Sequence, residues 1–376
     1  MNTKDIILVM FICILLSTVS IFIVSNNNSL AHIEKTNIDT FTMEEYLLNM
    51  KNQNKSDFLN DNMLDAKTSG DIIPKKTKIV LNFAGDCTLG TDTTFTYYNQ
   101  FTEVFKKENR YDYFFENMKS LFANDDLTIV NLEGPLTNGT NRANKKYSFK
   151  GAPEYVNILV SGDIEAVNLA NNHTKDYGAK GYEDTIQTLK DHNISYFGYD
   201  NYYIFEKEGI KIGFAGLTST SDKTIENRID DAINFFNENS CDLKIFTFHW
   251  GVEREYKHNS IQQKVGRYAI DHGADLVIGH HSHVIQDIEK YKDKYIVYSL
   301  ANFCFGGNVN PPDKDTFVFN ITFEYEDNNL INMTPKIYPA KVSSVNTRND
   351  YKPTLATGDE YTRILNKINK YSNVEF

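Results

Sequence analysis

Six short motifs hold most of the side chains capable of chemistry. "FAGDCTLG" offers Asp86, "NLEGPLT" offers Asn131 and Glu133, and "NLANNHTKDYG" offers Asn171, Asn172, His173 and Asp176. "FHWGVE" adds His249 and Glu253, "GHHSHVIQ" adds His280, His281, His283 and Gln286, and "YSLANF" adds Asn302. A mixture of carboxylate, imidazole and amide oxygen suits one or two first-row divalent ions such as Mn, Fe or Zn. It suits calcium less, because calcium takes mostly oxygen ligands. Two such ions about 3.5–4 Å apart support hydrolysis, since water bound to them loses a proton near neutral pH.

Each motif alone has a plainer reading. Asp86 after Gly85 could serve a turn or a helix cap, and Asn171-Asn172 an Asx turn. Glu133 before Gly-Pro could be a solvated loop carboxylate, and His249 a satisfied core histidine. Asp176 could orient His173 through its second ring nitrogen, or cap the helix that follows. The collective reading is stronger because the same kinds of residue recur wherever an apolar run ends.

Those runs are strands. "KIVLNFAG", "LTIVNLEG", "IEAVNLAN", "KIGFAGLT", "LKIFTFHWG", "ADLVIGHH" and "KYIVYSLANF" are short and β-rich, many without strict alternation, as in strands buried on both faces. Between them the spacing predicts helices. Tyr182, Ile186 and Leu189 share a face, as do Ile225, Ile229, Ile233 and Phe236, and Ile261, Val265, Tyr268 and Ala269. Strand–helix alternation predicts an α/β layered domain. The stretch 317–342 with its "EDNN" turn predicts late hairpin strands, so the sheets are mixed. "GDEYTRILNKINKY" predicts a terminal helix. In such folds loops at one strand edge converge on a ligand crevice.

The motifs taken in order resemble the CapA family of capsule or poly-γ-glutamate synthesis proteins, also called PgsA-like, over about residues 77–340. That family in turn resembles the calcineurin-like metallophosphoesterases. The resemblance implies a four-layer α/β/β/α sandwich of metallophosphoesterase type. It implies Asp86, Glu133, Asn172, His249, His281 and His283 as metal ligands and His173 as the histidine that stabilises or protonates a leaving group. His280, Glu253, Asn171 and Asn302 are further candidates. Four positions depart from the pattern. Asp86-Cys87-Thr88 stands where metallophosphoesterases carry Asp-x-His, Glu133 stands for an Asp, His280 is an extra histidine, and Ser282 replaces the usual Pro.

The chain of 376 residues carries a net charge of −11, and no basic cluster offsets it. Nucleic-acid partners are therefore excluded from the expectation. Arg142, Lys145, Lys146 and Lys150 form a short basic patch that either faces an anionic polymer or lies in a solvated loop. Cys13, Cys87, Cys241 and Cys304 have no CxxC spacing, so buried thiols are expected, with a Cys87–Cys304 bridge as the alternative. His192, His258 and His272 read as surface residues at helices or helix ends. No GxSxG elbow or Cys–His pattern supports covalent catalysis.

Residues 6–24 are almost wholly apolar and long enough to span a bilayer. The expected organisation is an anchor over 1–25 with a short cytoplasmic N-terminus, a polar stalk over 26–76, a globular domain over 77–345 and a helical extension over 346–376. The protein is thus expected at the cell membrane, single-pass, with its domain outside the cytoplasm. Three functions fit: an accessory of capsule or poly-γ-glutamate synthesis or export, a metal-dependent hydrolase of phosphoester or polymer amide or ester bonds, and a non-catalytic scaffold for a multipass synthase.

Overall fold

Two large sheets take all the described strands except the short pair Thr91–Asp92 and Phe149–Lys150, and the division follows the chain. A computed structural model describes residues 74–218 and 224–376. The first sheet takes Lys76–Thr88, Leu127–Leu132, Ala166–Asn168 and Ser195–Phe197 as parallel neighbours. The late hairpin Asp315–Glu326 and Asn329–Lys341 joins Lys76–Thr88 from the other side, antiparallel. The second sheet is parallel at its centre, through Ile210–Thr218, Leu243–His249, Leu276–His280 and Lys294–Val297, and antiparallel at both edges. The mixed α/β expectation matches this arrangement.

Burial sorts the structure into four layers. Ile79, Leu81 and Phe83 from the first sheet pack against Ile212, Phe214, Ile245 and Ile278 from the second. The other face of the first sheet buries Val130 and Val167 against Phe115, Leu159 and Leu189, the last from the helix Gly178–Asp191. The other face of the second sheet buries Phe246, Phe248 and Val277 against Ile229, Phe236 and Val265 of the helices Thr224–Glu238 and Ser260–Asp271. Each such side chain contributes roughly 1.5–3 kcal/mol by leaving water, so the sheets are held rigidly where their ends meet. The C-terminal helix Gly358–Asn369 sends Ile364 and Ile368 into the core shared by the two sheets.

Several local expectations are corrected. "KYIVYSLANF" is not one strand: Lys294–Val297 belongs to the second sheet and Asn302–Phe305 to the first. Ala301 makes the crossing at φ +66°, and its carbonyl accepts the Asp86 amide at 2.9 Å. Ile261 is exposed rather than buried, because Asn259 and Gln262 form a capping box there and Gln262 takes the interior position. His258 is not a surface residue; it stacks on Tyr298 and bonds Asp287 at 2.7 Å. Cys87, Cys241 and Cys304 are free and buried, so the Cys87–Cys304 bridge is absent.

The expected anchor over 6–24, and the stalk up to residue 73, lie outside the described residues. Among the described residues no helix is long and apolar enough to cross a membrane.

Candidate metal centre

The site forms where two rows of polar residues meet. In the first sheet Asn302, Asp86, Asn131 and Asn168 are paired in register across four strands. In the second, His280, His249 and Thr218 are paired in the same way. Polar residues in register cannot all turn toward an apolar core, so they must satisfy one another or a ligand. Asn131 does the first: its amide donates to Asp86 Oδ1 at 2.8 Å and accepts from Asn168 at 2.9 Å and Asn171 at 3.2 Å.

The carboxylates do the second. Asp86, Glu133 and His283 offer ligand atoms that all lie within 4.8 Å of one another. His283 Nδ1 is 3.3 Å from Asp86 and its Nε2 is 4.0 Å from Glu133 Oε1. The Nε2 atoms of His249 and His173 lie 3.7 and 3.9 Å from the same Glu133 oxygen. The three distances to Glu133 are too long for hydrogen bonds. Glu133 is fully buried, and neither of its oxygens has a hydrogen-bond partner. A buried unpaired carboxylate costs several kcal/mol, which a cation among these imidazoles would offset. The donor set therefore fits a divalent ion, held by Asp86, Glu133 and His283.

His249, Asn172 and His281 close around this trio. His249 Nε2 meets Asn172 Oδ1 at 2.8 Å, and the His281 ring lies 4.6 Å from that of His249. His281 Nδ1 is buried without a partner, while its amide donates to Asp86 at 3.3 Å. His281 and His283 sit at φ +91° and +55°, which costs a non-glycine residue of order 1–3 kcal/mol. That strain turns both rings to the same pocket. His280 stands behind, with Nδ1 3.4 Å from Asp86. Asn302 receives His283 at 2.9 Å and orients its ring.

Electrostatics separates the two carboxylates. Burial would raise Asp86, but hydrogen bonds and charges from His280 and His283 outweigh it and hold its carboxyl well below the usual range. Glu133 lacks such bonds; burial, then the charge of Asp86, pushes it up to about 8. For His283 burial works against protonation, yet the Glu133 charge and the bond and charge of Asp86 push it up to about 9. Burial lowers His249, His281 and His173, which favours the neutral imidazole that ligates metals. A divalent ion would take over the compensation of both carboxylates and release protons as it bound.

The alternative roles of Asp176 are also decided. The helix Gly178–Asp191 has Tyr177 at its N-cap and no side-chain cap, so Asp176 is not the cap. Instead it accepts His173 Nδ1 at 2.6 Å and the Phe149 amide at 2.6 Å, and pairs with Lys145. Asn171 makes the Asx turn, accepting the His173 amide at 3.1 Å, with its own amide group spent on Asn131 and Leu132. It supports the site without facing it. Glu253 lies apart from the ligand trio, on the cavity in front of it.

Asn168 and Lys145 were absent from the expected site, and Asn131 stood among the motif residues without a role. Asn131 lies two residues before Glu133, and Asn168 three before Asn171; the signal was a repeated Asn at equivalent strand positions. Lys145 was read only as part of the basic patch, yet it reaches the Asn172 carbonyl at 2.8 Å as well as Asp176. Part of the patch is used inside the fold: Arg142 bonds buried Asp92 at 2.6 Å, and Lys150 bonds the Gly139 carbonyl at 2.6 Å, while Lys146 stays exposed.

Two mixed sheets between helical layers, with carboxylates and imidazoles converging at their shared edge, define an α/β protein with a candidate divalent-metal centre. The family model described as bacterial capsule synthesis protein PGA_cap matches residues 80–307, and the chain belongs to this family. It is 30% identical over 227 residues to a capsule biosynthesis protein CapA of Bacillus anthracis, covering 52% of this chain and 55% of that one. It is 28% identical over 247 residues to a PGA biosynthesis protein CapA of Bacillus subtilis (strain 168), covering 60% and 62%. These matches thus span less than two thirds of the relatives' length. Among solved structures, a phosphatase from Mycoplasma pneumoniae aligns with 16% identity and a TM-score of 0.42, over 70% of this chain and 95% of that one.

Proposed function

We propose that the protein is a divalent-metal-dependent hydrolase of metallophosphoesterase type that serves the synthesis or export of a capsule polymer. The observation that carries this reading is the convergence of Asp86, Glu133 and His283 on one pocket, with both Glu133 oxygens buried and unpartnered. A divalent ion of the Mn, Fe or Zn kind would supply a Lewis acid for an ester oxygen and lower the pKa of water enough to provide hydroxide near neutral pH. Asp86, Glu133 and His283 would hold the ion, and Asn172, His249 and His281 would close its surroundings. His173 is the proton-exchanging group. Asp176 holds its Nδ1, which leaves Nε2 turned toward the pocket and within reach of a leaving oxygen.

The names of the relatives support a polymer of the capsule or poly-γ-glutamate kind as the physiological context. The scissile bond is a phosphoester, or an ester or amide of that polymer. The apolar stretch over 6–24 supports attachment at the cell membrane as a single-pass protein with the domain outside, beside a multipass synthase or export subunit. Metal analysis of the purified protein, with turnover of bis(p-nitrophenyl) phosphate, tests the reading. Near-stoichiometric Mn, Fe or Zn that is lost in Glu133→Gln together with turnover supports it. Metal without turnover points to an accessory role, and neither metal nor turnover to a scaffold.

A further inference from the structure

A cavity of about 270 Å³ opens in front of His173 and His283, and Phe95, Tyr97, Tyr147, Phe149, Tyr256 and Phe305 form part of its walls. Tyr147 and Phe149 lie nearly coplanar in orientation, 6° apart, with centroids 6.3 Å apart. They point the same way because alternate residues of an extended segment share a face. Phe95 stands edge-on to Tyr147 at 75°, and Phe305 edge-on to Phe149 at 76°. The result is an aromatic tray in which one parallel ring pair is flanked by two edge-on rings. The rings continue into the metal site, with Phe149 4.5 Å from His173 and Phe305 5.0 Å from His283.

The charges around the tray do not suit a polyanion. Its lining holds the carboxylates Glu253 and Asp313 and one guanidinium, Arg254. Asp313 is already paired with Lys367 at 2.6 Å. In the nearby basic patch Arg142 pairs with Asp92, Lys145 with Asp176 and Lys150 with a backbone carbonyl, while exposed Lys146 lies 5.0 Å over the Tyr147 ring and is the one cation of the patch at the tray. Among the described residues Glu253 and Arg254 have no side-chain hydrogen bond or ion pair, so they remain to meet hydroxyl and amide groups. An uncharged ring with one apolar face and a polar edge matches this tray.

We infer that the tray binds a neutral sugar ring, and that the substrate is a saccharide bearing the scissile ester at the metal centre. The ester part of this inference rests on the hydrolase reading; the sugar part does not. Hydrolysis would consume one water, cleave the ester oxygen's bond to phosphorus or acyl carbon, and return the hydroxyl to the sugar held on the tray. A γ-glutamyl chain, with no rings and one carboxylate per unit, lacks both features the tray reads.

The test is saturation-transfer NMR on the full chain with two probes, a neutral N-acetylglucosamine trimer and a γ-linked glutamate tetramer. The trimer is expected to bind more tightly than the tetramer. Tyr147→Ala should weaken the trimer by about 2–10-fold, the range expected for loss of one aromatic face. Tyr147 is 45% exposed, so the substitution should leave the melting temperature unchanged, and metal content is the second control. Equal or tighter binding of the tetramer, or trimer binding indifferent to both Tyr147→Ala and Phe95→Ala, overturns the inference. Sugar binding in a protein whose metal content is unaffected by Glu133→Gln would instead refute the hydrolase reading and leave the tray assigned.

Discussion

His249 and Asn172, 77 positions apart in the chain, meet Nε2 to Oδ1 at 2.8 Å. One comes from the end of a second-sheet strand and the other from the loop after a first-sheet strand. Their contact closes the gap between the sheets directly over Glu133, whose oxygen lies 3.7 Å from the same imidazole nitrogen. The site is therefore a seam, and its integrity depends on both sheets being in place.

Removing a carboxylate from the seam should remove the metal. Asp86→Ala and Glu133→Gln are each expected to lower bound divalent metal at least about tenfold, the scale on which even outer partners of a metal affect affinity. Plasma emission spectrometry of the purified variants checks this. Glu133→Gln should fold at least as stably as the metal-depleted parent, because it removes a buried, unpaired carboxylate.

The His173–Asp176 pair makes a separate kinetic prediction. His173→Ala should reduce kcat on an ester substrate by about 10²–10⁴-fold, the usual contribution of a positioned acid or base. Asp176→Asn keeps the size of the side chain while changing how it holds Nδ1, and should cost less, about 10–100-fold. Its pH–rate profile should shift along with the rate. A rate loss with an unmoved profile would mean that Asp176 only supports the loop through Phe149.

Stability should respond to pH through Asp125, far from the metal site. Burial, reinforced by Glu165 and Asp126, pushes its carboxyl up to about 7 against hydrogen bonds from Thr128 and Asn82. The folded state then keeps this proton when the unfolded chain has lost it. The group's contribution to stability falls as pH rises from about 4 toward 7 and does not recover above that. Asp125→Asn can still accept both donors on one oxygen. It should match the parent near pH 4.5 and melt higher at pH 8; thermal unfolding at the two pH values decides.

Gly85→Ala should damage fold and site together. A Cβ at this position would lie 2.0 Å from the Ala301 carbonyl oxygen, the same oxygen that accepts the Asp86 amide. Overpacking of this sort costs about 1–3 kcal/mol or more, and here it would push apart the strands that carry Asp86 and Asn302. Denaturant unfolding should show the loss of stability, and metal analysis a matching loss of affinity. An unaltered midpoint would mean that the strands part without cost.

The strands and long helices were legible because their signals are local. Apolar runs of the right length ended at the right places, and Asp86, Glu133, His249 and His283 were visible as polar residues at those ends. The crossing at Ala301 was not legible, since "KYIVYSLANF" reads as one continuous strand and only the second sheet's position makes it stop. Ile261 was misjudged because a helix's first turn obeys its cap before its apolar stripe. The basic patch was left between two readings because composition does not reveal that Arg142 and Lys145 pair with buried Asp92 and Asp176.

Local order along the chain was thus sufficient to say which kinds of residue stand at strand ends, and that such a set suits a divalent cation. Only the assembled sheets decided which neighbour looks into the seam: Asn172 rather than Asn171, and His281 and His283 through backbone at positive φ. The reason is geometric. The direction of a side chain on a loop is fixed by one or two torsions, and those torsions are set by contacts with residues that lie far away in the chain.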